Sequence, residues 1–186
     1  MNPIIYRPLS FDNYILRPVK RGDTEAFLEL VNNNRERVTP YFPGIVTHCD
    51  SPATLQKHIE ERIAGAGEGK YIPLVIKDTA AQKLAGVIQV KDIDYNALKR
   101  ELGAFVDERY ARKGVMLAAL EQVIDYSFNE QGLNKLFLRT AQDNTAARKL
   151  AEKAGFELEG TFKSDFRTTE GQFIDLVYYG LVKKKG

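Results

Sequence analysis

"RELGAFVDERYARKGVM", Arg100 to Met116, runs from a strand into a helix through a cation-rich turn. "RELGAFVD" has the length and composition of a strand, and the turn "RYARKG" follows it. The helix beyond it is apolar and alanine-rich; Met116, Leu120, Val123 and Ile124 line one side, and Gly132 marks its end. At such a junction the first backbone N–H groups of the helix have no partner in the helix itself, and its dipole adds partial positive charge. Gly114 permits close approach, while Arg112 and Lys113 add full charge. That combination suits a pyrophosphate. A plain solvated turn has the same composition, so the flanking elements must decide.

Downstream, "NKLFLRT" is an apolar, central strand expected to lie parallel to "RELGAFVD". "NTAARKLAEKAGF" follows as a helix, with Asn144 at its start, Gly155 at its C-cap and Phe156 packing back. "FELEGTF" and "FIDLVYYGLV" complete the chain as strands. Upstream, "NYILRPV" is a short strand that stops at Pro18. "RGDTEAFLELVNNNRERV" then reads as one helix capped by Asp23, with Ala26, Phe27, Leu30 and Val31 on one face. Ser51 caps a second helix running from Pro52 to about Ala64. "YIPLVIKD" and "KLAGVIQVKDI" are strands joined by a polar turn. A helix crossing between strands implies a locally parallel pair inside a mixed sheet. The expected fold is α/β (α+β mixed), with a twisted sheet of about seven strands flanked by helices. One domain is expected over residues 1–186, its core at about 14–182.

The bulk numbers agree with an ordinary globule: 186 residues, 44% hydrophobic, 28% charged and a net charge of +2. So small a charge does not suggest specific nucleic-acid binding, and Lys183 to Lys185 read as a solvated tail. One cysteine, Cys49, excludes an intramolecular disulfide and a cysteine-rich zinc site. No stretch approaches ~20 apolar residues, and "MNPIIYRPLS" lacks the apolar centre of a signal peptide. A cytoplasmic protein without membrane association is expected. Two motifs invite chemistry and do not sustain it. "GAGEGK" (Gly65 to Lys70) has Ala64 and Tyr71 where a phosphate loop needs Gly and Ser or Thr, and it leaves a helix for a strand. His48, Cys49, Asp50 and His58 lack the spacing of a metal site, so no metal is expected.

The order of elements and the opening turn together resemble the GNAT superfamily of acetyl-CoA-dependent N-acyltransferases. That family's pyrophosphate loop follows Q/R-x-x-G-x-G/A, and Ala111-Arg112-Lys113-Gly114-Val115-Met116 falls on it. Gly114 matches strictly, whereas Ala111 and Met116 depart from the pattern. "NTAARKLAEKAGF" is similar to the family's Asn-led helix and its Gly-Phe ending. The N-terminal "LRPVKRGDTEAFLELVNNNRERVTPYFP" and C-terminal "FIDLVYYGLV" resemble the RimJ/RimL-type branch, the ribosomal-protein N-acetyltransferases.

The resemblance implies that acetyl-CoA is the co-substrate and that an amine attacks its thioester directly, so Cys49 is dispensable. It places the pantetheine arm along Phe105, Val106 and Asp107, with a backbone N–H near Val106 on the oxyanion. The pyrophosphate falls on the amides of Arg112, Lys113, Gly114, Val115 and Met116, and Asn144 touches the arm. Glu101 matches a position where relatives carry a base, although a surface carboxylate beside Arg100 has the same sequence signature. The hydroxyl that often protonates the leaving thiolate is missing, because Ala147 and Ala151 hold the usual Ser and Tyr positions; Tyr178 is the candidate substitute. The branch implies a protein α-amino group as acceptor, held by Arg35, Tyr41 and Phe42. Such an amine, of pKa about 7.7–8.0 against about 10.4 for lysine, is far more often neutral at pH 7. A small-molecule amine, or a CoA-binding module without catalysis, are the alternatives, and a homodimer is compatible with either.

Overall fold

The computed structural model describes residues 7–65 and 72–184. Its strands are β1 (Leu9–Phe11), β2 (Tyr14–Pro18), β3 (Ile72–Asp78), β4 (Leu84–Asp94), β5 (Lys99–Val106), β6 (Lys135–Ala141), β7 (Glu157–Arg167) and β8 (Phe173–Val182). They form one sheet in the order β1-β2-β3-β4-β5-β6-β8-β7. Every neighbouring pair is antiparallel except β5 and β6, the pair joined through a helix. The eighth strand is β1, three residues long and paired with β2 across a tight turn at Asp12. So short a strand has too few positions to show alternation, which is why the sequence gives no sign of it.

The helices are α1 (Thr24–Asn33), α2 (Arg35–Val38), α3 (Pro43–Val46), α4 (Pro52–Gly65), α5 (Val115–Asp125) and α6 (Thr145–Lys153). Alternation along the strands sends side chains into two cores. Val75 and Val87 join Phe27, Leu30, Val31, Leu55 and Ile59 under α1 and α4. Leu74, Ile76, Ile88, Leu102 and Leu136 join Met116, Ala119, Leu120, Val123 and Ala151 under α5 and α6. Each Val, Leu, Ile, Phe or Met among them contributes about 1.5–3 kcal/mol by leaving water. The sheet is therefore a buried partition with a different helical layer on each side.

The helix expected over residues 24–38 is broken at Asn34. Asn34 is buried; its Nδ2 donates to the Leu30 carbonyl and its Oδ1 accepts from the Glu108 backbone N–H at 3.0 Å. A side chain that competes for backbone partners ends a helix that apolar spacing alone would continue. Asp23 stands at the start of α1, but its carboxylate binds Arg17 and the Lys20 N–H instead of capping α1. Ser51 does cap α4, accepting from the Thr54 N–H at 3.2 Å. "GAGEGK" lies outside the described residues after Gly65.

Candidate active site

Pairing between β5 and β6 covers only Lys99–Lys135, Arg100–Leu136 and Glu101–Phe137. Beyond that point β5 stays bonded to β4 as far as Val106, and β6 stays bonded to β8 as far as Ala141. The two strands splay, and a cleft of about 300 Å³ opens between them. Asp107 N–H donates to the Ala85 carbonyl, on the β4 side. Since strand polar groups alternate sides, Val106, Ala104 and Leu102 turn their N–H and C=O toward the gap. The gap runs through the sheet from one helical layer to the other. Leu120, Asn144, Ala147, Leu150 and Ala151 line it on the α5–α6 side, and Tyr41, Phe42, Lys91, Glu101, Arg139 and Asp165 line it elsewhere.

The turn after β5 is built from its own side chains. Asp107 is 1% exposed, accepts from the Arg109 N–H at 2.8 Å and is gripped by both ends of the Arg109 guanidinium. Burial pushes the Asp107 carboxyl up, but these hydrogen bonds outweigh it and hold the group below the usual carboxylate range. Its side chain thus secures the turn, so only its backbone is available to a ligand. Arg112 (φ 61°) and Gly114 (φ 81°) both take left-handed backbone, and a Cβ at Gly114 would meet nothing within 4 Å. The first helical bond of α5 runs from the Ala118 N–H to the Gly114 carbonyl, leaving the amides of residues 114–117 without an acceptor in the helix. Arg112 and Lys113 are exposed beside them, while the side chains of Val115 and Met116 are core. Those two residues can offer a ligand their backbone only.

Asn144 lines the cleft and caps α6, its Oδ1 accepting from the Ala147 N–H at 3.2 Å. Phe42 lines the opposite wall against Phe105, ring centroids 5.6 Å apart, and Gly103 faces it so closely that a Cβ would lie 3.3 Å from the ring. Tyr41 stands at the mouth.

Glu101 is 2% exposed, which corrects its alternative reading as a surface carboxylate. Its Oε1 takes Lys91 Nζ at 3.0 Å and Arg139 Nε at 3.1 Å. Arg139 also reaches the Tyr178 hydroxyl at 3.2 Å and Asp165 at 3.8 Å. Burial pulls the Arg139 guanidinium down, yet its bond to Glu101 and that carboxylate's charge leave it more firmly protonated than usual. This network escaped the sequence reading, although strand alternation puts Glu101 and Arg139 on one face once their register is known.

The cleft lining reaches along β5 only as far as Ala104, so Phe105, Val106, Asp107 and the turn Arg112 to Met116 lie beyond it, while Tyr178 and Arg35 are engaged elsewhere. Tyr178 does not line the cleft; its hydroxyl donates to Asp165 at 2.7 Å. Burial and that acceptor push it above the ordinary tyrosine value although Arg139 opposes the shift, so it stays protonated. Arg35 clamps the loop before α4, donating to the Cys49 carbonyl at 2.6 Å and pairing with Asp50 at 3.6 Å, and it is not in the wall. Cys49 is buried, which pushes its thiol up to about 11. His48 and His58 stack 3.8 Å apart, and no metal-holding group of three or more occurs among the described residues. Nor is any described helix long and apolar enough to cross a membrane.

Comparison with known proteins accounts for this architecture. The family model "Acetyltransferase (GNAT) domain" matches residues 13–157. Spermidine N(1)-acetyltransferase of Vibrio cholerae is 29% identical over 171 residues, 91% of this chain and 93% of its own. Among solved structures, the ribosomal-protein-S5-alanine acetyltransferase of Vibrio fischeri superposes with a TM-score of 0.86 at 20% identity, over 95% of this chain and 96% of its own. RimL, a ribosomal L7/L12 α-N-protein acetyltransferase solved with coenzyme A, gives 0.85 at 20% identity, over 95% and 98%. This chain belongs to the GNAT acetyltransferase family and is an N-acetyltransferase that takes its acetyl group from acetyl-CoA.

Proposed function

We propose that the whole chain works as one acetyltransferase unit that moves acetyl directly onto an α-amino group at a protein N-terminus. The observation that carries this reading is the splay after Glu101 and Phe137, which leaves the β5 edge from Leu102 to Val106 unpaired with β6, its first part, Leu102 to Ala104, lining the cleft. An extended arm bearing amides adds to such an edge as another strand does. The amides of residues 114–117, with Arg112 and Lys113 beside them, then receive the pyrophosphate. The Asn144 side-chain NH2, which has no partner among the described residues, turns to the arm.

The Val106 N–H, on the open edge, is the donor for the oxyanion that forms when the amine attacks. Glu101 takes the amine's proton. Two cations share its Oε1, so uptake disrupts part of those ion pairs and favours an amine already neutral. This matches an α-amine, of pKa about 7.7–8.0, better than a lysine. Charge argues the same way. Among the described residues lining the cleft, Lys91 and Arg139 balance Glu101 and Asp165. A polycation such as spermidine gains little from carboxylates that are already paired. Tyr41 and Phe42 supply an apolar wall for the first residues of a peptide. A screen of CoA release against N-terminal peptides, polyamines, amino acids and aminoglycosides tests the acceptor. Turnover of a peptide α-amine at the lowest concentration is expected; a small amine acetylated there with no peptide modified overturns the protein-acceptor reading.

A further inference from the structure

The two alanines that take the place of the usual hydroxyls both line the cleft, Ala147 partly exposed and Ala151 fully buried. The α5–α6 wall therefore carries no hydroxyl from α6 to meet the leaving sulfur. The facing strand does carry one. Thr140 lines the same cleft and is 8% exposed. It lies on β6 two residues beyond Leu138 and four beyond Leu136, and both leucines pack into the core beneath α5 and α6. Its cross-strand neighbour Val177 belongs to that core as well. Strand alternation thus turns Thr140 toward α6, while Arg139 turns to the ion-pair network on the other face. Among the described residues the Thr140 hydroxyl has no hydrogen-bond partner. The residue is nearly buried, but its hydroxyl oxygen is not closed off from solvent, so it is open to a partner in the cleft.

We propose that Thr140 is a catalytic residue that hydrogen-bonds the departing sulfur of acetyl-CoA from β6, replacing the hydroxyl that Ala147 and Ala151 cannot provide. The proposal rests on the reading of the cleft as the acetyl-CoA site. In the step, the nitrogen–carbon bond of the amide has formed and the carbon–sulfur bond breaks. The electron pair of that bond passes to sulfur, whose growing negative charge takes the Thr140 O–H as donor. The proton lost by the amine goes to Glu101 and thence to solvent, and the thiolate is protonated from solvent after release. A thiol of pKa about 8.5 leaves without full protonation at neutral pH, so a hydrogen bond suffices where a strong acid is not needed.

The test is the single-turnover rate of acetyl transfer, with affinity for acetyl-CoA measured separately by calorimetry. Thr140→Val preserves shape and removes the donor; the rate is expected to fall about tenfold, with donor affinity unchanged within twofold. Thr140→Ser is expected to restore the rate. Thr140→Val/Ala147→Ser, which returns a hydroxyl on the opposite wall, is expected to recover part of it. A Thr140→Val protein as fast as the parent overturns the assignment, as does a loss that Thr140→Ser fails to restore. Failure of the cleft reading is a separate result: a folded Gly114→Trp protein would then bind acetyl-CoA as the parent does, whatever Thr140 does.

Discussion

Replacing Arg139 by Gln should destabilise the fold and do so through Glu101. Glu101's side chain is 3% exposed and Arg139's is 32%, so the carboxylate is the partner that cannot fall back on water. Breaking a fully buried ion pair from one side costs about 3–5 kcal/mol. Lys91 Nζ remains at 3.0 Å, and Arg139 is partly solvated, so about 2 kcal/mol is a fair share. In a chain of this size each kcal/mol lowers Tm by roughly 2–4 °C, giving a fall of about 4–8 °C. Glu101→Gln should cost a similar amount. In the double variant no buried carboxylate is left short of a partner, so the combined loss should fall below the sum by about 1–2 kcal/mol. Urea unfolding of the four proteins at pH 7 gives the cycle directly. Additivity within about 0.3 kcal/mol would refute the claim that these residues form one unit across the splayed strands.

Asn144→Ala should cost about 1 kcal/mol through the lost cap and raise KM for acetyl-CoA, whereas Asn144→Asp should keep the cap and still raise KM. Cys49→Ala should leave kcat unchanged and cost stability only, because the thiol is buried and stays protonated to about pH 11. His58 is held neutral down to about pH 4 by burial first, then by His48 and Arg62. The unfolded chain protonates it near pH 6.5, so between pH 6.5 and 4 the unfolded state binds more protons. Stability should therefore fall with acidity across that window, and His58→Gln should flatten the slope seen in urea titrations at successive pH values.

The strand–turn–helix at Arg100 to Met116 and the Asn-led helix were legible because their apolar spacing and caps are local. The partition of the sheet's side chains into two cores became visible only once the strands were placed side by side. What stayed hidden depends on contacts distant in sequence. Asn34 ends a helix by reaching Glu108, and no spacing rule sees 74 residues ahead. Glu101 meets Arg139 only because β6 lies beside β5 in one register, and the Tyr178 hydroxyl is taken up by Asp165 on β7 and Arg139, two residues of the cleft wall behind which it stands. Arg35 looked like an acceptor contact because it belongs to the polar stretch "NNNRERVTPYFP", yet from the start of α2 it clamps the loop before α4.

Titration of acetyl-CoA into the parent protein and its Gly114 variants tests the placement of the donor most directly. Gly114 has φ 81° and open space at its Cβ position, so Gly114→Ala adds only left-handed strain of about 1–2 kcal/mol. Gly114→Trp adds the same strain and a ring over the amides of residues 114–117. Calorimetry should show near-parental affinity for the alanine variant and a loss of at least about a hundredfold for the tryptophan variant, with circular dichroism unchanged. A folded Gly114→Trp protein that binds acetyl-CoA as the parent does would place the donor elsewhere.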